Sequence, residues 1–123
     1  MTLSIKPNLN IVYVTDVEVS TSYYKTLFKT GPIFTSPRYV VFSAGDGVEF
    51  ALWSGAETPD LATPRFSEIG IQLPTDKDVE ELFKEWSNIS DIKFARDIYN
   101  EVFGRTFLVE DPDGHLIRVC SED

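Results

Sequence analysis

The chain has one histidine, His115, and one cysteine, Cys120. A histidine can ligate a metal or relay a proton, and a thiolate can attack an electrophile, but each needs partners at set positions. His115 follows the turn Asp111-Pro112-Asp113-Gly114 and stands three residues before Arg118. That odd spacing puts the two side chains on opposite faces of a strand, so His115 reads as a turn or surface histidine. Cys120 has no histidine placed to activate it and reads as a packing cysteine. The groups left for chemistry are a carboxylate, Glu68, a guanidinium, Arg118, and a set of aromatic rings. An ion pair between Glu68 and Arg118 would orient the polar edge of a ligand through paired hydrogen bonds, or would act only as a structural bridge.

The elements that must carry these residues occur twice. Leu9 to Thr15 is β-branched and apolar, as a buried strand is. Asp16 is placed to cap a helix running to Phe28, with Val19, Tyr23, Leu27 and Tyr24, Phe28 at helical spacing. Short strands follow at Ile33–Thr35, Tyr39–Ser43 and Val48–Trp53. The segment from Ser54 to Pro64 shifts to Gly, Ala, Thr, Pro and acid, and reads as a linker. Glu68 to Leu73 alternates as a strand. Thr75 with Asp78 forms a capping-box pattern, and Val79, Leu82, Phe83 and Trp86 make a helical stripe. Strands at Lys93–Asp97, Arg105–Glu110 and His115–Cys120 complete the order. The stretch from Asp97 to Gly104 is expected to be a loop that gates a cavity.

Strand, helix, three strands, then the same again, predicts an α+β fold of two tandem βαβββ modules. They form an open, strongly curved mixed sheet with helices on its outer face. The expected bounds are about 8–54 and 66–120, with a linker over 55–65, in a single domain. Aligning the modules sets Asn10 beside Glu68, and Ala51 beside Arg118. All four side chains are then expected to line one concavity. Trp53 shares a strand face with Ala51 and Glu49, and Tyr39, Phe42, Tyr99 and Phe103 are further candidate walls. Trp86 belongs to the core.

A chain of 123 residues with 42% apolar and 13% aromatic content can build one domain without staples. Its single cysteine excludes an internal disulfide framework. The formal charge is −9, from 20 acidic and 11 basic residues. Nucleic-acid and anionic-membrane partners are therefore disfavoured, and a neutral or cationic ligand is easier to accommodate. The acid surplus also serves plain solubility. Met1 to Pro7 shows no apolar signal segment, and no apolar run approaches the roughly 20 residues of a membrane span, so a cytoplasmic location is expected.

Val14-Thr15-Asp16, Ser20, Tyr23-Tyr24 and Leu27-Phe28, together with Asp111-Pro112-Asp113-Gly114-His115-Leu116-Ile117, resemble the vicinal oxygen chelate superfamily of glyoxalase and bleomycin-resistance proteins. The segment Ser36-Pro37 through Val41-Phe42 to Gly47, then Ala51-Leu52-Trp53-Ser54, is similar to a narrower group, the phenazine-antibiotic resistance binding proteins. The resemblance implies a symmetric dimer whose partner completes each cavity, with Trp53 as a stacking platform. It also implies that Asn10, Ala51, Glu68 and Arg118 stand where family enzymes hold a divalent metal. Alanine donates nothing, asparagine one weak oxygen, and arginine repels a cation, so no metal, no other cofactor and no catalytic residue is expected. The reading is a metal-free pocket that sequesters a planar aromatic molecule such as an antibiotic, with Trp53, Phe42, Tyr39, Glu68, Arg118, Asn10, Tyr99 and Phe103 as ligand contacts. The alternatives are a glyoxalase- or dioxygenase-like enzyme with an atypical metal site, and an interaction domain without a small ligand.

Overall fold

The computed structural model describes Leu3, residues 5–102 and residues 104–122. The chain divides into two units, residues 1–60 and 61–123. The first holds β1 (Leu9–Tyr13), α1 (Val17–Phe28), β2 (Phe34–Thr35), β3 (Tyr39–Ser43) and β4 (Glu49–Trp53). The second holds β5 (Ile69–Leu73), α2 (Asp76–Ser87), β6 (Lys93–Glu101), β7 (Gly104–Glu110) and β8 (Leu116–Ser121). Each makes its own four-stranded mixed sheet, ordered β1-β4-β3-β2 and β5-β8-β7-β6. In each, the first strand runs parallel to the last and the other pairs are antiparallel. The fold is α+β, and the βαβββ order occurs twice.

Local chemistry explains where the helices begin and end. Asp16 Oδ1 accepts from the Glu18 and Val19 amides at 3.0 and 3.2 Å, satisfying donors that the first turn leaves open. Lys29 closes α1 in the left-handed region, at φ 57°. In α2 the capping box is complete: the Asp78 amide donates to Thr75 Oγ1, and the Thr75 amide donates to Asp78 Oδ2, both at 3.2 Å. The turn at Asp111 closes with the Gly114 amide donating to the Asp111 carbonyl at 3.0 Å. Gly114 sits at φ 82°, where a side chain would be strained.

One face of each helix packs on its own sheet. The Tyr24 ring lies 4.9 Å from Phe50, and Phe28 lies 5.6 Å from Phe42. Phe83 and Trp86 meet Phe107 at 5.3 and 5.8 Å. Val79 and Trp86 are buried, as the helical stripe requires, whereas Val19 is on the exposed side of α1. Several boundaries differ from the sequence reading: β1 ends at Tyr13 rather than Thr15, and β4, β5 and β8 each begin one residue later, at Glu49, Ile69 and Leu116. The second strand is only Phe34–Thr35, and Asp97 to Glu101 is not a loop, because β6 extends through it to pair with β7. No helix or strand forms between Trp53 and Ile69. Among the described residues, no helix is long and apolar enough to cross a membrane.

Candidate functional site

In the first unit, cross-strand register decides which side chains face away from α1. Residues paired across neighbouring strands share a face. Phe50 and Leu52 sit on the α1 side, and they pair with Asn10 and Val12. Asn10 is therefore on the helix side, not beside Ala51 as the module alignment suggested. The residues that do share the far face are Ile11 and Tyr13 on β1, paired with Ala51 and Trp53. Tyr39 and Val41 on β3 join them, and Phe34 pairs with Val41. Phe42 is a second correction: it is fully buried on the α1 side against Phe28 and lines nothing open.

The far face is thus aromatic. Tyr39 and Trp53 meet edge to face with centroids 6.1 Å apart, and Phe34 lies 6.3 Å from Tyr39. Tyr13 and Phe34 remain exposed, and Trp53 is half-buried. An array of this kind offers both ring faces and edges to a flat ligand. Trp53 is held in place by a missing side chain. A methyl group added at Gly55 would overlap the indole, coming within 2.8 Å of its Cε2 and closer still to Cζ2 and Cη2. Gly55 has no left-handed φ, so alanine suits its backbone and would act only through the ring. We expect Gly55→Ala to turn the Trp53 indole away from Tyr39. Near-UV circular dichroism should change markedly with little loss of thermal stability, and an unchanged spectrum would refute the packing argument.

In the second unit the face away from α2 carries a polar network centred on Arg118. Its Nε and Nη2 donate to Glu68 Oε1 and Oε2 at 2.7 and 2.9 Å, a two-pronged ion pair. Its Nη1 donates to the Tyr99 hydroxyl at 2.9 Å and to Thr106 Oγ1 at 3.1 Å. Thr106 is buried, and its hydroxyl donates to the Val119 carbonyl at 2.8 Å. The Arg118 side chain is 15% exposed and that of Glu68 36%. Hydrogen bonds from Arg118 hold the Glu68 carboxyl below the usual carboxylate range, against a smaller opposing effect of burial. Hydrogen bonding to Glu68, and then to Tyr99, raises Arg118 above its already high value. The edge of Arg118 suited to gripping a ligand carboxylate is therefore spent on Glu68. Sequence reasoning paired these two residues and named Tyr99, but it missed Thr106. Phe103 lies outside the described residues.

The matches to known proteins agree with this architecture. Residues 7–119 match the family model described as the glyoxalase/bleomycin resistance protein/dioxygenase superfamily. The chain belongs to that superfamily. It is 52% identical over 122 residues to the phenazine antibiotic resistance protein EhpR of Enterobacter agglomerans, covering 98% of this chain and 95% of that protein. A protein of Agrobacterium tumefaciens, solved by NMR in solution, is 30% identical with a TM-score of 0.80, over 96% of this chain and 98% of the other. A glyoxalase-related enzyme from Fulvimarina pelagi, at 18% identity and a TM-score of 0.77 over 94% and 87% of the two chains, shares the fold alone.

The superfamily resemblance implies a divalent metal, and the residues present do not fit one. Stepping two residues back along the strand from Gly70, the partner of Arg118, gives Glu68; the same step from Ile11, the partner of Ala51, gives Leu9. In the first unit the matching positions are Leu9 and Ala51, which offer no side-chain donor; in the second they are Glu68 and Arg118, a single carboxylate already committed to a guanidinium. Among the described residues, no group of three or more His, Cys, Asp or Glu could hold an ion. A hard or borderline cation needs several oxygen or nitrogen donors, and neither unit offers more than one at these positions.

Proposed function

We propose that the protein binds a planar aromatic compound of the phenazine type without turning it over, and confers resistance by sequestering it. The observation that carries this reading is the 52% identity, across 98% of the chain, to a phenazine antibiotic resistance protein. The aromatic face built by Tyr13, Phe34, Tyr39 and Trp53 supports it, because stacking and burial of apolar area are what a flat, largely uncharged ring system can offer. The donor set around Glu68 and Arg118 argues against metal-assisted chemistry.

We infer also that two copies associate. The superfamily resemblance implies a pair, and Leu61, Phe66 and Val102, at 74%, 94% and 93% exposure, are large apolar side chains that a partner would remove from water. One experiment tests both statements. Sedimentation of metal-stripped protein with phenazine, followed at the ligand's own absorbance, should show colour travelling with a species of twice 13.9 kDa. Colour left behind would sink the binding reading; colour moving with a 13.9 kDa species would sink the pairing alone.

A further inference from the structure

We propose that Ser36 is a positioning residue for the aromatic platform, holding Tyr39 where its ring meets Trp53; this rests on the phenazine reading above. Both rings stand at one end of the β3–β4 pair. Tyr39 is the first residue of β3, Trp53 is the last of β4, and the two are partners across the ladder. Strand ends open more readily than strand middles. Past Trp53 the chain forms no helix or strand until Ile69, so the ring pair must be fastened from elsewhere. The β4 side is fastened twice. The Ser54 amide donates to the Arg38 carbonyl at 3.0 Å, and the Val14 amide donates to the Trp53 carbonyl, also at 3.0 Å. The β3 side depends on the turn that leads into it from β2.

That turn is built from residues that suit it poorly. The Ser36 amide donates to the Tyr39 carbonyl at 2.9 Å, which leaves Pro37 and Arg38 as a two-residue loop. Two-residue loops favour backbone with positive φ, because its twist matches that of the strands; loops of the other kind splay them. Pro37 cannot take a positive φ, since its ring locks the angle at about −65°. Arg38 does not take one either: among the described residues Lys29 is the one non-glycine that does. In a close antiparallel pair each amide reaches the other residue's carbonyl. Here the Tyr39 amide donates instead to Ser36 Oγ, at 3.2 Å, and the same hydroxyl donates to the Tyr39 carbonyl at 2.8 Å. One side chain thus grips both polar groups of the Tyr39 backbone. The Tyr39 ring that this backbone carries is the middle one of three, 6.1 Å from Trp53 and 6.3 Å from Phe34 between centroids. Without the hydroxyl the Tyr39 amide loses its partner and the strand end is free to splay.

The test is a double-mutant cycle on wild type, Ser36→Ala, Tyr39→Ala and the double variant, read by fluorescence titration with phenazine and by thermal melting. Ser36→Ala should weaken phenazine binding by about 3- to 10-fold where Tyr39 is present, and by less than about twofold in the Tyr39→Ala background. Its cost in thermal midpoint should be the same in both backgrounds, because Tyr39→Ala keeps the backbone amide that donates to Ser36. A merely structural bond would weaken binding alike with or without the Tyr39 ring. Ser36→Thr, which keeps the hydroxyl, should bind within about twofold of wild type. Unchanged affinity in Ser36→Ala, equal weakening in both backgrounds, or a Ser36→Thr protein as weak as Ser36→Ala overturns the positioning role while phenazine binding stands. Failure of wild type to bind phenazine overturns the phenazine reading itself, and the positioning role with it.

Discussion

Trp53→Ala should weaken phenazine binding by about 5- to 150-fold, corresponding to about 1–3 kcal/mol of stacking and lost apolar contact. The estimate follows from how the ring is held. Trp53 is half-buried, locked against Tyr39 on one side and laid over Gly55 on the other, so little ordering remains to be done when a ligand arrives. Alanine at this position removes the largest ring of the far face but leaves Phe50 and Leu52, which form the core on the α1 side, untouched. The thermal midpoint should therefore move far less than the affinity. A titration in which Trp53→Ala saturates at the wild-type concentration would remove the platform from the mechanism. Equal loss of stability and affinity would mean that the ring is core.

Glu68→Ala should destabilise the second unit and remove the part of its acid sensitivity that comes from this carboxylate. Breaking a fully buried ion pair costs about 3–5 kcal/mol, and because Glu68 keeps a third of its surface in water the expected loss is about 1–3 kcal/mol. For a chain of this size that is a fall of roughly 4–12 °C in Tm. Arg118 would keep its bonds to Tyr99 and Thr106 but lose the anion that balances it. The pH dependence has a definite sign. The folded protein holds Glu68 below its ordinary value of 4.5, so the unfolded chain binds more protons in the window between the two. The stabilisation is complete above about pH 4.5 and is lost as pH falls through the folded value. The gap in Tm between wild type and Glu68→Ala should thus be constant from about pH 5 to 7 and shrink in more acidic buffer. A gap that is absent at neutral pH, or that persists undiminished at about pH 3, would contradict the ion-pair account.

What the sequence made legible was whatever depends on near neighbours. Asp16, the Thr75–Asp78 box and the stripe from Val79 to Trp86 are local signals, and each appears as read. The Asp111 to Gly114 turn is also local. The facing of the first strand was not legible, because Leu9, Ile11, Val12 and Tyr13 are apolar on both sides and alternation is silent there. Only pairing with β4, some forty residues on, shows that Ile11 and Tyr13 rather than Asn10 stand beside Ala51 and Trp53. Phe42 failed for the same reason, since Tyr39 to Phe42 is uniformly apolar. Thr106 looked like one more strand residue until the register placed its hydroxyl under Arg118. In β6 the pairing with β7 slips by one residue between Phe94 and Arg96 and again between Arg96 and Tyr99, which erases the period of two, so a paired strand read as a loop.

The register slips between Phe94 and Arg96 and between Arg96 and Tyr99 have a consequence for the sheet's border. β6 is the outermost strand of its sheet, with β7 on one side only. A long, regular border strand exposes a row of amides and carbonyls on which a foreign chain can template itself. Two offsets within nine residues break that row into short, mismatched stretches. Under the sequestration proposed above, which consumes protein in proportion to ligand, the same distortion would protect against aggregation at high concentration. Ironing out either offset by deleting one residue should thus be felt first as poorer solubility at high concentration.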